Sequence, residues 1–233
     1  TEYYAPDIGG AIAELIRKNT RLVFMEAPGS LTFEMQDIPG ITRATKEKGV
    51  LTLMDNTWAT PIFFRPLEHG VDVSIQAGTK YIAGHSDLVI GMITSSREVT
   101  HRMMVSHAHN LGDAASPDDS FMALRGLRTL SVRLYRQQES AFKVASWLVE
   151  QPQVYRVLYP ALAGDPGHAL WKRDFTGASS LFGLAIHSED ETAVKAMVDS
   201  LQYFQIGSSW GGYESLIAFN HMPVTRDRAP WTE

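Results

Sequence analysis

Cysteine is absent from all 233 residues of the chain. That excludes disulfides, thiolate nucleophiles and zinc sites of the cysteine type. Long apolar runs are also missing, since nothing approaches the roughly 18 consecutive apolar residues of a membrane-crossing helix. Nor is there an excess of positive charge: 21 Lys and Arg against 26 Asp and Glu leave a formal net charge of -5. A nucleic-acid partner therefore has no electrostatic basis. The first residues, Thr1-Glu2-Tyr3-Tyr4, lack the basic and apolar regions of a secretory signal. No internal repeat, low-complexity tract or flexible linker stands out. The expectation is a soluble, cytoplasmic protein with neither membrane nor nucleic acid as partner. At 44% hydrophobic content it can bury a sizeable core in one or two domains.

What is present is an alternation of two periodicities. A helix is predicted from an Asp7 cap through Ile8, Ile12, Leu15 and Ile16 at helical spacing. A strand follows over residues 21–26, closed by the Ala27-Pro28-Gly29-Ser30 loop. A second helix opens at Asp37-Ile38-Pro39 and stops at Gly49. Residues 50–55, 71–77 and 88–94 read as strands, with a short helix through Phe63, Phe64 and Leu67 ending at Gly70. This order predicts an α/β fold, a parallel-rich sheet with helices on both faces. A long helical stretch over 120–150, broken near Gly126, resembles a connector. Beyond it, strands over 154–158 and 181–186 and a helix over 191–201 predict a smaller α+β unit. The expected division is 1–126 and 127–233.

In parallel sheets ligands collect at the carboxyl ends of strands, where Glu26, Asp55 and Lys80 all fall. The run Val50-Leu51-Thr52-Leu53-Met54 delivers Asp55, followed by Asn56-Thr57-Trp58. The run Val71-Asp72-Val73-Ser74-Ile75 leads to Gly78-Thr79-Lys80-Tyr81. Alone, Asp55 reads as a helix cap and Lys80 as a solvated lysine. Together they supply what pyridoxal 5'-phosphate (PLP) requires: a lysine for a Schiff base with the aldehyde, and an acid to keep the pyridine nitrogen protonated.

Several stretches carry a resemblance. Asp55-Asn56-Thr57-Trp58-Ala59-Thr60-Pro61, Arg65-Pro66-Leu67-Glu68-His69-Gly70 and Thr79-Lys80-Tyr81-Ile82-Ala83-Gly84-His85-Ser86-Asp87 stand in the first part. Gly126-Leu127-Arg128-Thr129-Leu130, Trp171-Lys172-Arg173-Asp174-Phe175-Thr176-Gly177 and Ser209-Trp210-Gly211-Gly212-Tyr213-Glu214-Ser215 follow. In this order they resemble the trans-sulfuration, or Cys/Met-metabolism, family of PLP-dependent enzymes, and within it the cystathionine β-lyase branch. The resemblance implies a fold-type I, aspartate-aminotransferase-like large domain and a partial carboxyl-terminal domain. It implies β-elimination of L-cystathionine to homocysteine, pyruvate and ammonia, on the way to methionine. The γ-lyase and γ-synthase branches, which share the lysine and the aspartate, stay open, as does a non-catalytic fragment.

By the same resemblance Lys80 is the catalytic and cofactor-bearing residue and Asp55 the pyridinium partner. Thr79 would bind the phosphate, and Ser30 would stand near the phenolic oxygen. Ser209 and Trp210 would grip the substrate carboxylate, although Trp210 reads equally well as a core aromatic. Ala77 departs from the pattern, because many members have Ser three residues before the lysine. Homotetramers, as dimers of dimers with shared sites, are implied as well. Against the family, segments before Thr1 and after the stretch 223–233 are expected to be missing from this chain. They would carry a phosphate-binding turn, a ring-stacking Tyr and a carboxylate-clamping Arg.

His101, His107 and His109 invite a metal reading, but spacing places no further ligand and an exposed helix and loop explain them better. Arg125, Arg128, Arg133 and Arg136 fall at helical spacing, offset by Glu139 and the acidic residues near Asp118. They read as a solvated or subunit-facing surface.

Overall fold

The computed structural model describes residues 1–188 and 190–220; the stretch 223–233 lies outside them. Strands β1 (Leu22–Glu26), β2 (Leu51–Asp55), β3 (Val73–Ala77) and β4 (Gly91–Ser95) form one sheet in that order. The first three are parallel, with Glu26 opposite Asp55 and Asp55 opposite Ile75, and β4 returns antiparallel. Between β1 and β2 runs α1 (Ile38–Glu47), capped by the Asp37 carboxylate, which accepts from Gly40 N–H at 3.2 Å.

The front of the chain differs from the expected amphipathic α-helix. Pro6–Glu14 winds as a 3-10 helix that breaks at Gly9 (φ 49°, ψ -133°), and Ala5 rather than Asp7 occupies the cap. Adjacent Gly9 and Gly10 remove the side chains that would favour a regular turn. The expected helix before Gly70 is likewise split, into α2 (Thr60–Phe63) and a 3-10 turn at Pro66–His69.

One face of the sheet is built into the core. Val23, Met25 and Met54 cluster with Ile38, Ile41 and Ala44 of α1, and with Ile12, Phe33 and Phe63. The alternate residues point the other way, and this face is only partly covered. Leu22 and Phe24 are 46% and 49% exposed, and Ile93 of β4 is 62% exposed. Leu51, Leu53 and Ile75 on this face are half-buried and Val73 is buried, so the predicted cover on the second face is partial and fails mainly at the edge strands β1 and β4, among the described residues.

Beyond β4 come α3 (Glu98–Leu111), α4 (Pro117–Leu127) and the longest helix, α5 (Leu130–Val149). His101, His107 and His109 all stand exposed on α3. Strands β5 (Val154–Leu158) and β6 (Gly183–Ile186) pair antiparallel, with α6 (His168–Asp174) between them. Helix α7 (Glu191–Asp199) precedes a two-residue parallel ladder of β7 (Gln205–Ile206) and β8 (Leu216–Ile217). Trp58 is a core residue: it donates to Leu181 O at 2.9 Å and meets Tyr159 and Phe175 edge-on. Among the described residues, no helix is long and apolar enough to cross a membrane.

Candidate active site

Because β1, β2 and β3 run parallel, their carboxyl ends open on the same edge of the sheet. At the end of β2 the chain turns at once, and Asp55 Oδ1 accepts from Thr57 N–H at 2.8 Å. Thr57 Oγ1 in turn accepts from Ala77 N–H at 2.8 Å, so one residue ties the ends of β2 and β3 together. The second oxygen of Asp55 receives no hydrogen bond from a described residue.

Lys80 lies three residues beyond β3 in a tight turn. Its amide donates to Ala77 O at 3.0 Å, and Ala83 and Gly84 donate back to Gly78 O and Lys80 O at 2.8 and 2.9 Å. The Lys80 ammonium donates to Ser209 Oγ at 3.1 Å, across 129 residues of sequence. It also stands 5.3 Å from the centre of the Trp210 ring, a cation–π distance. Trp210 packs edge-on against Tyr81 at 5.4 Å. Gly211 (φ 83°) follows, so close that a side chain there would press on the Lys80 carbonyl carbon and the Tyr81 nitrogen at 2.9 Å. No described carboxylate pairs with the Lys80 amine.

The other expected residues divide. Thr79 sits beside Lys80, but its hydroxyl donates to Ile90 O at 3.3 Å and accepts from Ile90 N–H at 2.9 Å. Its single O–H is committed to the backbone leading into β4. Ser30 is exposed at the mouth of the loop after β1, and its amide meets the Glu26 carboxyl. Tyr213 is exposed, and Glu214 accepts from Ser86 Oγ at 2.8 Å.

Glu26 had no assigned role. Burial, then the Asp55 charge on the adjacent strand, push its carboxyl up to about 7, with the Ser30 amide pulling the other way. A carboxylate pair at neighbouring strand ends was readable from the two runs once they are taken as adjacent. Arg133, expected on a solvated or subunit-facing surface, turns inward instead: its guanidinium donates to Tyr81 O at 2.8 Å and Ile82 O at 3.1 Å.

The donor set fits PLP at two of its ends. It offers an amine free of any acid partner beside an aromatic ring and, one strand away, a carboxylate with an open oxygen. Thr79, the residue expected at the phosphate, has its proton already engaged with Ile90 O.

The family model for Cys/Met-metabolism PLP-dependent enzymes matches residues 1–229. The chain belongs to that family. Cystathionine beta-lyase of Salmonella typhimurium is 44% identical over 223 residues, which are 94% of this chain and 56% of that protein. An L-alanine/L-glutamate racemase of Wolbachia pipientis is also 44% identical, over 92% of this chain and 52% of its own length. A crystal structure of cystathionine gamma synthase from Xanthomonas oryzae, in complex with aminoacrylate and cysteine, matches at a TM-score of 0.83 and 40% identity. That match covers 85% of this chain and 51% of the synthase. The chain spans about half the length of the curated relatives it matches. Its fold is that of the fold-type I PLP-dependent enzymes, and the family's cofactor is PLP.

Proposed function

We propose that this chain carries the catalytic lysine of a PLP-dependent carbon–sulfur lyase of the cystathionine β-lyase type. The reaction would split L-cystathionine and water into homocysteine, pyruvate and ammonia. The observation that carries the reading is the Lys80 amine: unpaired by any described acid, bonded to Ser209, set against Trp210, and one strand from Asp55. A lysine nitrogen held this way is placed where a Schiff base to an aldehyde could form.

Lys80 Nζ would bond the cofactor aldehyde, and the open oxygen of Asp55 would hold the proton on the pyridine nitrogen. When bound, PLP supplies an electron sink for the pair left at the substrate α-carbon. Lys80 Nζ would also serve as the base for the α-proton of a bound substrate. Ser209 Oγ orients that nitrogen, and with Trp210 it would face the substrate carboxylate. Ser30 is assigned to the phenolic oxygen and Thr79 to the phosphate, which for Thr79 requires giving up Ile90 O. We extend the reading to a cytoplasmic homotetramer, a dimer of dimers acting in methionine biosynthesis, with a domain division at 126/127.

A second reading is favoured by the γ-synthase match at 40% identity: a γ-lyase or γ-synthase type of enzyme. A relative named as a racemase is also 44% identical. A non-catalytic fragment is the third, favoured by the half-length coverage. Borohydride reduction of the PLP-loaded protein, followed by peptide mapping, should place the adduct on Lys80; an adduct on another lysine overturns the assignment. Given cystathionine, pyruvate with homocysteine is the expected outcome. Formation of 2-oxobutyrate with cysteine selects the γ-lyase type instead. An adduct on Lys80 without turnover selects the fragment.

A further inference from the structure

The contact between Lys80 and Ser209 joins two turns far apart in sequence, and both are held by the same helix face. Arg133 on α5 reaches the first. Its Nη1 donates to Tyr81 O at 2.8 Å, and its Nη2 to Ile82 O at 3.1 Å and Gly126 O at 2.8 Å. Nε donates to Thr129 Oγ1 at 3.0 Å. Tyr81 O and Ile82 O lie in the lysine turn, where no backbone N–H of a described residue reaches them. Gly126 O, in the last turn of α4, also accepts from Thr129 N–H at 3.0 Å. Carbonyls at such ends favour a cation. No described carboxylate shares this guanidinium, and burial lowers its pKa. Gln137, four residues on and therefore on the same face, donates its Nε2 to Gly212 O at 2.9 Å. The Gly212 turn is the one that carries Ser209 and Trp210.

The packing leaves no slack at this junction. A side chain at Gly126 would collide with Ile82 O and Ala83 O, and one at Gly84 (φ 70°) with the Arg133 guanidinium. The backbones of the α4–α5 junction and of the lysine turn are therefore in direct contact. A flexible or shorter side chain cannot substitute for the fork, because a lysine presents a point charge and not two diverging N–H vectors.

We propose that Arg133 and Gln137 are positioning residues that set the approach of the Lys80 amine to Ser209, one holding each turn. This rests on the reading that Lys80 carries the cofactor, and the test separates the two. In the full chain, Arg133→Lys should raise amide hydrogen exchange at Ala83 and Gly84 about tenfold, the loss expected for roughly one hydrogen-bonded contact to a charged group. The rate of borohydride-trapped PLP addition at Lys80 should fall by a similar factor, while labelling of the exposed Lys48 and the distant Lys143 stays constant. Gln137→Ala, which frees the Gly212 turn, should lower Lys80 labelling a few-fold while exchange at Ala83 and Gly84 stays as in the parent; it also serves should Arg133→Lys fail to fold. In a Ser209→Ala background the effect of Arg133→Lys on Lys80 labelling should shrink, since contacts that act through one another do not add. In Arg133→Lys, unchanged exchange at Ala83 and Gly84 overturns the positioning role of Arg133 whatever Lys80 does. An equal loss of labelling with and without Ser209 also overturns it, making Arg133 merely structural. Absence of any Lys80 adduct in the parent protein, with exchange still faster in Arg133→Lys, sinks the lysine reading and keeps Arg133 as the residue that holds this turn.

Discussion

The end of β2 and the turn after β3 are neighbours, but they are held by different means. Asp55 is placed by backbone: its strand is paired on both sides, and its carboxylate is braced by an amide two residues on. Most of what fixes it lies between β1 and β3. Lys80 leaves its strand before it reaches the site. Its turn is fixed by Arg133, Gly126 and Gly211, and its amine by Ser209. The acid is thus a property of the sheet, and the lysine a property of how remote segments pack on it. Substitutions far away in sequence should disturb the second and spare the first.

The largest effect is expected from Gly126→Val, which drives a branched side chain into Ile82 O and Ala83 O. The α4–α5 junction must then lift off the lysine turn. Overpacking of this kind costs roughly 1–3 kcal/mol, measurable as a lower urea midpoint. Borohydride-trapped PLP addition at Lys80 should be abolished while exchange protection in β2 persists. Equal loss in both places would break the distinction. Asp55→Ala comes next and probes the other side. β2 keeps its ladder, so cofactor should still attach at Lys80. Turnover of cystathionine should nevertheless fall about 10²–10³-fold, the usual cost of removing one group aimed at developing charge. Unchanged turnover with weaker cofactor binding would leave Asp55 only a structural role.

The same division decides what could be read from sequence. β1, β2 and β3 were legible because short β-branched runs ending in Asp55 or leading to Gly78-Thr79-Lys80 have few other readings, and Asp37-Ile38-Pro39 announced α1. The antiparallel direction of β4 had no local signal. Arg133 shows the limit most clearly. Its helical spacing with Arg136 matches a solvated stripe, yet it turns inward because Tyr81 and Ile82 offer carbonyls that only tertiary packing brings near. That Ser209 and Trp210 stand beside Lys80 had no local signal, since nothing in their own stretch points toward an amine 129 residues away, and resemblance alone singled them out. At the front, Asp7 looked like a cap. Pro6 and the Gly9 break instead made a 3-10 helix.

The smallest effect sharpens the account of the β2 end, where Glu26 and Asp55 stand opposite each other. Burial first, and the Asp55 charge second, push the Glu26 carboxyl from 4.5 to about 7. A raised carboxyl keeps its proton in the folded chain when the unfolded chain has already released it. Its contribution to stability is therefore complete below pH 4.5 and lost as pH rises through about 7. The ceiling is roughly 3 kcal/mol at about 1.4 kcal/mol per tenfold change in proton affinity. Partial contact with water reduces this to on the order of 1–2 kcal/mol. Glu26→Gln copies the protonated form and has no proton to lose. Relative to the parent it should be nearly neutral on the acid side of the window, then gain stability progressively toward pH 8. Urea unfolding of both proteins across that range measures the difference. A gap that does not change with pH would remove Glu26 from the pair. The gain should be smaller in an Asp55→Asn background, where burial alone remains. Arg133→Lys should leave it intact, because that substitution loosens the lysine turn and not the strand ends.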